Sequence, residues 1–132
     1  MREILFKAKR KDNGEWAEGY YRADPDLDVH FICGWDYYPS ENGLERESFE
    51  YEIDPDTLCQ YTGLTDKHGR KIWENDITYI RSSGLSGYGV IKYQNGNLVL
   101  VDEKRKRTYS LYGEWKIRKD GNIFDNDLLE VE

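Results

Sequence analysis

The periodicity of the sequence constrains its fold more than any other feature. Apolar and polar residues alternate in short runs, and no segment sustains the 3.6-residue repeat of an amphipathic helix. Asn13-Gly14 and Asn95-Gly96 each lie between two such runs. Asn-Gly is a strong hairpin signal, because both residues tolerate the positive φ that a tight turn requires. The pattern therefore predicts a mainly β protein, and short strands at close spacing favour a small barrel.

The alternating runs predict strands that pair with their neighbours in sequence. Residues 4–9 and 15–21 form the first expected hairpin, and residues 90–93 and 98–101 form the second. Additional strands are expected at 29–33, 49–53, 58–62, 77–80 and 115–119.

Gly, Pro, Asn and Asp mark the segments between these strands. Residues 34–44 mix Gly, Pro and Asn with aromatic residues and are expected to form an irregular loop. Residues 81–89 are rich in Gly and Ser and are expected to form a flexible connection. A helical turn is expected to begin at Asn126.

The length of 132 residues predicts one domain that buries a core without disulfides or metal. Eleven Tyr, four Trp and four Phe bring the aromatic content to 14%. Few aliphatic residues accompany them, so we expect the core to depend on aromatic rings.

The net charge of −7 is concentrated in one part of the chain. Residues 1–11 carry a net +4, residues 12–56 a net −12, and residues 57–132 a net +1. The overall acidity disfavours general binding to nucleic acid or to anionic membranes. The acidic segment is either a solvated face or a surface that meets a basic partner.

Cysteine usage and hydropathy predict a cytoplasmic protein. Cys33 and Cys59 are far apart and form no CxxC pair, as expected for reduced thiols. The sequence has no apolar signal region at its start and no apolar window long enough to span a membrane.

Nucleophilic and acid–base catalysis have little support in the sequence. His30 and His68 are the only histidines, and nothing in the sequence brings a nucleophile to either. We expect His68 in an exposed turn and His30 on the polar side of a strand. The twenty-six acidic residues do not single out a carboxylate pair. We therefore expect no catalytic residues.

Metal, cofactor and phosphate-loop motifs are incomplete. The alternating acids in 24–28 resemble the start of a calcium loop, but Val29 stands where its glycine belongs and Trp35 where its closing Glu belongs. The glycine-rich segment 84–89 lacks the Lys and Ser or Thr that end a phosphate-binding loop. The Cys and His residues have no zinc-ligand spacing. We therefore expect neither a metal nor a cofactor.

Two clusters of residues are candidates for a binding site. Trp35, Tyr37 and Tyr38 form an aromatic group that either caps the core or lies at a protein interface. Lys104, Arg105, Lys106 and Arg107 form a basic run between two strands, which is either solvated or contacts nucleic-acid phosphates.

Three separated motifs resemble the YopX family of small proteins that phages and prophages encode. Residues 59–77, CQYTGLTDKHGRKIWENDI, are similar to its central QYTGLxDKxGxxIYEGDI stretch. Residues 4–8, ILFKA, resemble its opening motif, and residues 121–130, GNIFDNDLLE, resemble its closing motif. Trp73, Asn75 and Asp127 depart from the residues usual in that family, and 24–56 matches no motif.

The resemblance implies an SH3-like barrel in the C-terminal half, a phage or prophage origin and no known activity. The full prediction is a single domain, 1–132, with an N-terminal hairpin and an irregular, turn-rich insert in 1–57 and the barrel in 58–132. We expect a non-catalytic protein that binds itself or a host or phage protein in the bacterial cytoplasm. Nucleic-acid binding by a barrel face and residues 104–107 is the alternative. No membrane and no small-molecule substrate are expected.

Overall fold

A computed structural model of the chain describes residues 4–82, 85–111 and 116–126. These residues form a mainly β protein with antiparallel pairing, which confirms the predicted fold class. The chain divides into two compact units, Met1–Gln60 and Tyr61–Glu132. The strands are β1 Phe6–Lys9, β2 Trp16–Asp24, β3 Val29–Ser40, β4 Gly43–Glu52, β5 Cys59–Thr65, β6 Lys71–Trp73, β7 Asp76–Ser82, β8 Leu85–Gln94, β9 Asn97–Asp102, β10 Arg107–Ser110 and β11 Lys116–Asn122, with a 3-10 turn at Pro55–Thr57.

The first unit is a sheet in the order β4-β3-β2-β1-β5. Its β1–β2 hairpin pairs Phe6 with Gly19 and Lys9 with Trp16, which confirms the first predicted hairpin. Gly14 has a φ of 72°, a conformation that glycine adopts without a steric penalty. The opening residues of β5 pair with β1, and the later residues of β5 pair with β6.

The predicted irregular loop over 34–44, and with it the turn-rich insert, is wrong. Strands β3 and β4 form one long hairpin, which is paired continuously from the pair of Phe31 with Glu52 to the pair of Ser40 with Gly43. Gly34 permits this pairing because a Cβ there would stand 2.9 Å from the ring of Phe49. The β2–β3 pairing ends at Cys33, so at Pro39 strand β3 has a partner on one side only, as on an edge strand, where proline is tolerated.

The cores of the two units differ in their side chains. Ala8, Ala17, Ile32 and Ile53 are buried in the first unit, and aromatic rings that include Phe49 and Tyr51 pack against them. The second unit instead buries five aliphatic residues, Ile72, Ile80, Ile91, Leu100 and Ile117. Tyr61 and Trp73 are also buried in the second unit, and Tyr109 packs against its aliphatic cluster, so rings contribute to both cores.

The second unit contains a five-stranded sheet in the order β10-β9-β8-β7-β11. The β8–β9 hairpin confirms the second predicted hairpin, and its turn residues Asn95 and Gly96 have φ values of 53° and 80°. Such values are those of a type I′ turn. Across the described residues this sheet is open, with β10 and β11 at its edges, so it does not show the closed barrel that was expected.

Two further predictions need correction or fall outside the described residues. The flexible connection over 81–89 is wrong for Arg81–Ser82 and for 85–89, which belong to β7 and β8, whereas residues 83–84 are not described. Strand β11 matches the predicted strand at 115–119 from Lys116 onward. Trp115 lies outside the described residues, as do the residues beyond Asn126 over which the helical turn was expected.

Candidate interaction surfaces

The turn that follows β5 is organised by the carboxylate of Asp66. Its Oδ1 accepts the backbone N–H groups of His68 and Arg70, both at 2.9 Å. Its Oδ2 accepts Nε of Arg70 at 2.9 Å and the backbone N–H of Lys119 at 3.2 Å. Burial of this side chain acts to raise the pKa of Asp66, but these hydrogen bonds outweigh it and hold the pKa well below its ordinary 3.8.

Three large aromatic side chains lie exposed on the same side of the first sheet. Trp35 and Tyr37 are two residues apart on β3, so their side chains point to the same side. Tyr20 of β2 pairs with Cys33, which lies two residues before Trp35 on β3. The Tyr20 side chain therefore points to this side as well. The exposed fractions are 60% for Tyr20, 47% for Trp35 and 61% for Tyr37. We call Tyr20, Trp35 and Tyr37 the aromatic face.

The structure separates the third residue of the predicted aromatic cluster from the other two. Tyr38 is also exposed, but it points to the opposite side of β3 from Trp35 and Tyr37. Sequence reasoning missed Tyr20, because only the β2–β3 register brings it beside this side of β3. The available sequence signal for this side of β3 was the two-residue spacing of Trp35 and Tyr37, once the segment is recognised as a strand.

A groove of about 330 Å³ lies along the aromatic face, with Tyr20, Trp35, Ser48 and Glu50 among its lining residues. The guanidinium of Arg46 lies 4.1 Å from the centre of the Trp35 ring. Such a cation–π contact restrains the ring at the edge of the groove. The groove therefore combines exposed aromatic surface with a restrained anchor.

The hairpin that carries the aromatic face is acidic. Residues 29–52 contain six acidic residues against the single basic residue Arg46. Glu45 and Glu47 lie on β4, which is an edge strand of the sheet. Charges on an edge strand oppose pairing with another strand. They also favour a partner of opposite charge.

Lys104, Arg105 and Lys106 of the basic run lie in the turn between β9 and β10, and Arg107 is the first residue of β10. Arg105 donates from its backbone at 3.2 Å and from its guanidinium at 3.1 Å to Asp102, which is 2% exposed. Lys106 has a φ of 56°, in the left-handed region. Arg105 therefore holds the turn, while Lys104, Lys106 and Arg107 are exposed.

The remaining candidate groups are held by local contacts. Nδ1 of His30 lies 2.6 Å from the hydroxyl of Tyr21, and its Nε2 lies 3.0 Å from Asp28. The buried thiol of Cys59 donates to a backbone carbonyl at 3.3 Å. Within 4–82, 85–111 and 116–126, no group of three or more His, Cys, Asp or Glu side chains is placed to hold a metal ion. No helix formed by those residues is long and apolar enough to cross a membrane.

Comparison with known proteins places the chain in a family. No curated protein matches the sequence. The model of the YopX protein family matches residues 5–130, which is nearly the whole chain and includes the central motif, the closing motif and all but the first residue of the opening motif. The chain therefore belongs to the YopX family.

Proposed function

We propose that this YopX protein is a non-catalytic interaction protein whose aromatic face binds a protein partner. The observation that supports this most is the exposure of Tyr20, Trp35 and Tyr37 on one side of a regular sheet. Large aromatic residues supply much of the energy of protein interfaces, because they bury wide apolar area with few rotatable bonds. A sheet holds them in place, so little ordering is required on binding.

The charge of the hairpin indicates the partner's chemistry. Residues 29–52 carry a net charge of −5, so two copies meeting through this surface would bring like charges together. Self-association through the aromatic face is thus less favourable than binding to a second protein. We propose a host or phage protein with basic residues around an apolar anchor.

We further propose the cellular setting that the family resemblance implies. The protein is encoded by a phage or prophage and acts in the cytoplasm of the bacterial host. The sheet β10-β9-β8-β7-β11 supplies the strands of the SH3-like part. The two reduced cysteines are consistent with the cytoplasm.

Affinity capture from a nuclease-treated bacterial lysate tests the protein-binding proposal. The double variant Trp35→Ser/Tyr37→Ser should lose the partner that the wild-type protein retains. Tyr38→Ser is the matched control, since it removes an exposed ring from the opposite side of the same strand and should retain the partner. Equal recovery with the double variant and with wild type would contradict the proposal.

A second proposed function is nucleic-acid binding through the basic turn, which the exposure of Lys104, Lys106 and Arg107 favours. Replacing these three residues by Glu should abolish binding to single-stranded DNA at low salt. Binding that persists in that variant would contradict a role for the turn. Arg105 is left unchanged, because its contacts with Asp102 hold the turn.

A further inference from the structure

A cationic pocket of about 520 Å³ lies in the second unit, away from the basic turn in sequence. Among the described residues, it is lined by Lys67, Tyr79, Arg81, Ile117 and Arg118, of which three are basic and none is acidic. Residues 61–132 carry twelve basic and eleven acidic residues. The net acidity of the chain is therefore not located in this unit, and it does not oppose an anion here.

The turn after β5 brings Lys67 to the pocket. The backbone N–H of Lys67 donates to the carbonyl of Ile117 at 3.2 Å. Asp66 accepts the backbone N–H of Lys119, also at 3.2 Å. Two contacts to β11 thus fix the turn, and they place the Lys67 side chain beside the pocket without engaging its ammonium group.

Strands β7 and β11 supply the other residues. Tyr79 pairs with Arg118, and Arg81 lies two residues after Tyr79 on the same side of β7. The guanidinium of Arg118 lies 5.0 Å from the centre of the Tyr79 ring and donates to the Tyr88 hydroxyl at 3.1 Å. These contacts form a restrained aromatic wall.

The three basic side chains differ in whether a carboxylate already neutralises their charge. Arg118 donates to the Asp120 carboxylate at 2.9 Å, so its charge is largely compensated. Lys67 and Arg81 are exposed, and neither forms an ion pair with another residue that the structure describes. An anion entering the pocket would therefore meet two positive charges that no residue described by the structure compensates.

We propose that this pocket binds a nucleotide, with Lys67 and Arg81 holding the phosphate and the base lying against Tyr79. Phosphate is matched by guanidinium and ammonium groups. The volume lies within the 300–1,000 Å³ range of small-molecule sites and is too large for a phosphate alone. Tyrosine faces stack on bases of any sequence. The nucleotide is either free or part of a single strand.

Calorimetry with adenosine monophosphate and with inorganic phosphate, and anisotropy with a labelled oligothymidylate, test the proposal at low salt. Lys67→Gln/Arg81→Gln should weaken binding of each nucleotide probe at least about tenfold, because it removes two charge-assisted contacts. For the oligonucleotide, the slope of log affinity against log salt should fall by about 1.4. Both side chains are exposed, so thermal melting should show an unchanged fold.

Lys11→Gln/Lys71→Gln is the matched control, because it removes the same charge from exposed side chains that belong to neither the pocket nor the basic turn. It should leave monophosphate binding unchanged. Tyr79→Leu should weaken monophosphate binding but not phosphate binding. Binding of the monophosphate as tight as that of the oligonucleotide would support a free nucleotide, and much tighter oligonucleotide binding would support a single strand.

Three results would overturn the proposal. The first is that wild-type protein binds neither nucleotide probe. The second is that the control variant loses as much affinity as Lys67→Gln/Arg81→Gln for both nucleotide probes. The third is that phosphate binds as tightly as the monophosphate, since the base would then contribute nothing.

Discussion

Replacing the Asp66 carboxylate by an amide should destabilise the second unit. In the wild-type protein, Oδ1 accepts hydrogen bonds from two backbone N–H groups, and Oδ2 accepts hydrogen bonds from the Arg70 side chain and the backbone N–H of Lys119. In Asp66→Asn one of these oxygens becomes an N–H donor. Whichever way the amide turns, it faces donors that no longer have an acceptor.

The arrangement that keeps most contacts leaves the amide oxygen at the Oδ1 position. The backbone N–H of Lys119 then loses its acceptor, which costs about 1–3 kcal/mol. The Arg70 side chain is 51% exposed and can turn to water, so the loss of its charge-assisted contact adds only about 1 kcal/mol. We expect Asp66→Asn to lower the free energy of unfolding by about 3 kcal/mol in total.

Urea unfolding followed by fluorescence measures this change, because Trp73 is 3% exposed and reports on the second unit. At a slope of about 2 kcal/mol/M, the midpoint should fall by about 1.5 M. Asp12→Asn is the matched control. Asp12 also pairs with an arginine, Arg10, at 2.6 Å, but its side chain is 64% exposed. The midpoint of the control should move much less than that of Asp66→Asn, because an exposed ion pair contributes little to stability. Equal losses in the two variants would refute the reasoning.

Three further outcomes follow from burial and titration. The pKa of Asp66 is lower in the folded chain than the 3.8 of an unfolded one, so its stabilisation is present above that value and is lost as the pH falls below it. The difference between wild type and Asp66→Asn should therefore shrink between pH 7 and pH 3 in urea titrations. Ile91→Ala should lower the free energy of unfolding by about 3 kcal/mol, whereas Ile123→Ala, at a 40% exposed site, should change it little; similar losses would contradict the core assignment. In timed alkylation of native protein, the half-buried thiol of Cys33 should react well before the buried thiol of Cys59, and the reverse order would contradict their placement.

The sequence was informative where structure depends on neighbouring residues. Both Asn-Gly hairpins were predictable, because turn chemistry and alternation act within about ten residues. The strand over 34–40 was not predictable. Trp35, Tyr37 and Tyr38 are all exposed, so large apolar residues lie on both sides of this strand and do not mark one buried side. Strand prediction depends on one buried side, and this part of β3 has none.

The candidate sites were less accessible to sequence reasoning because they depend on distant pairings. Asp66 lies 53 residues from Lys119, whose backbone it binds. Tyr79 and Arg118 meet only through the β7–β11 register. The basic run was recognisable in the sequence as four adjacent basic residues, but the contact of Arg105 with buried Asp102 could not be predicted from it.

The pairing of β11 with β7, rather than with its sequence neighbour β10, has a consequence for synthesis of the chain. During synthesis on a ribosome, β7 through β10 emerge first and can pair in order. The edge of β7 that pairs with β11 stays unpaired until β11 has been synthesised. Such high contact order slows folding, because a long loop must close before the contacts form. An unpaired β7 edge is open to other nascent chains during that interval. We therefore expect translation that stalls within residues 103–115 to produce aggregation, and chaperones that shield strand edges to suppress it.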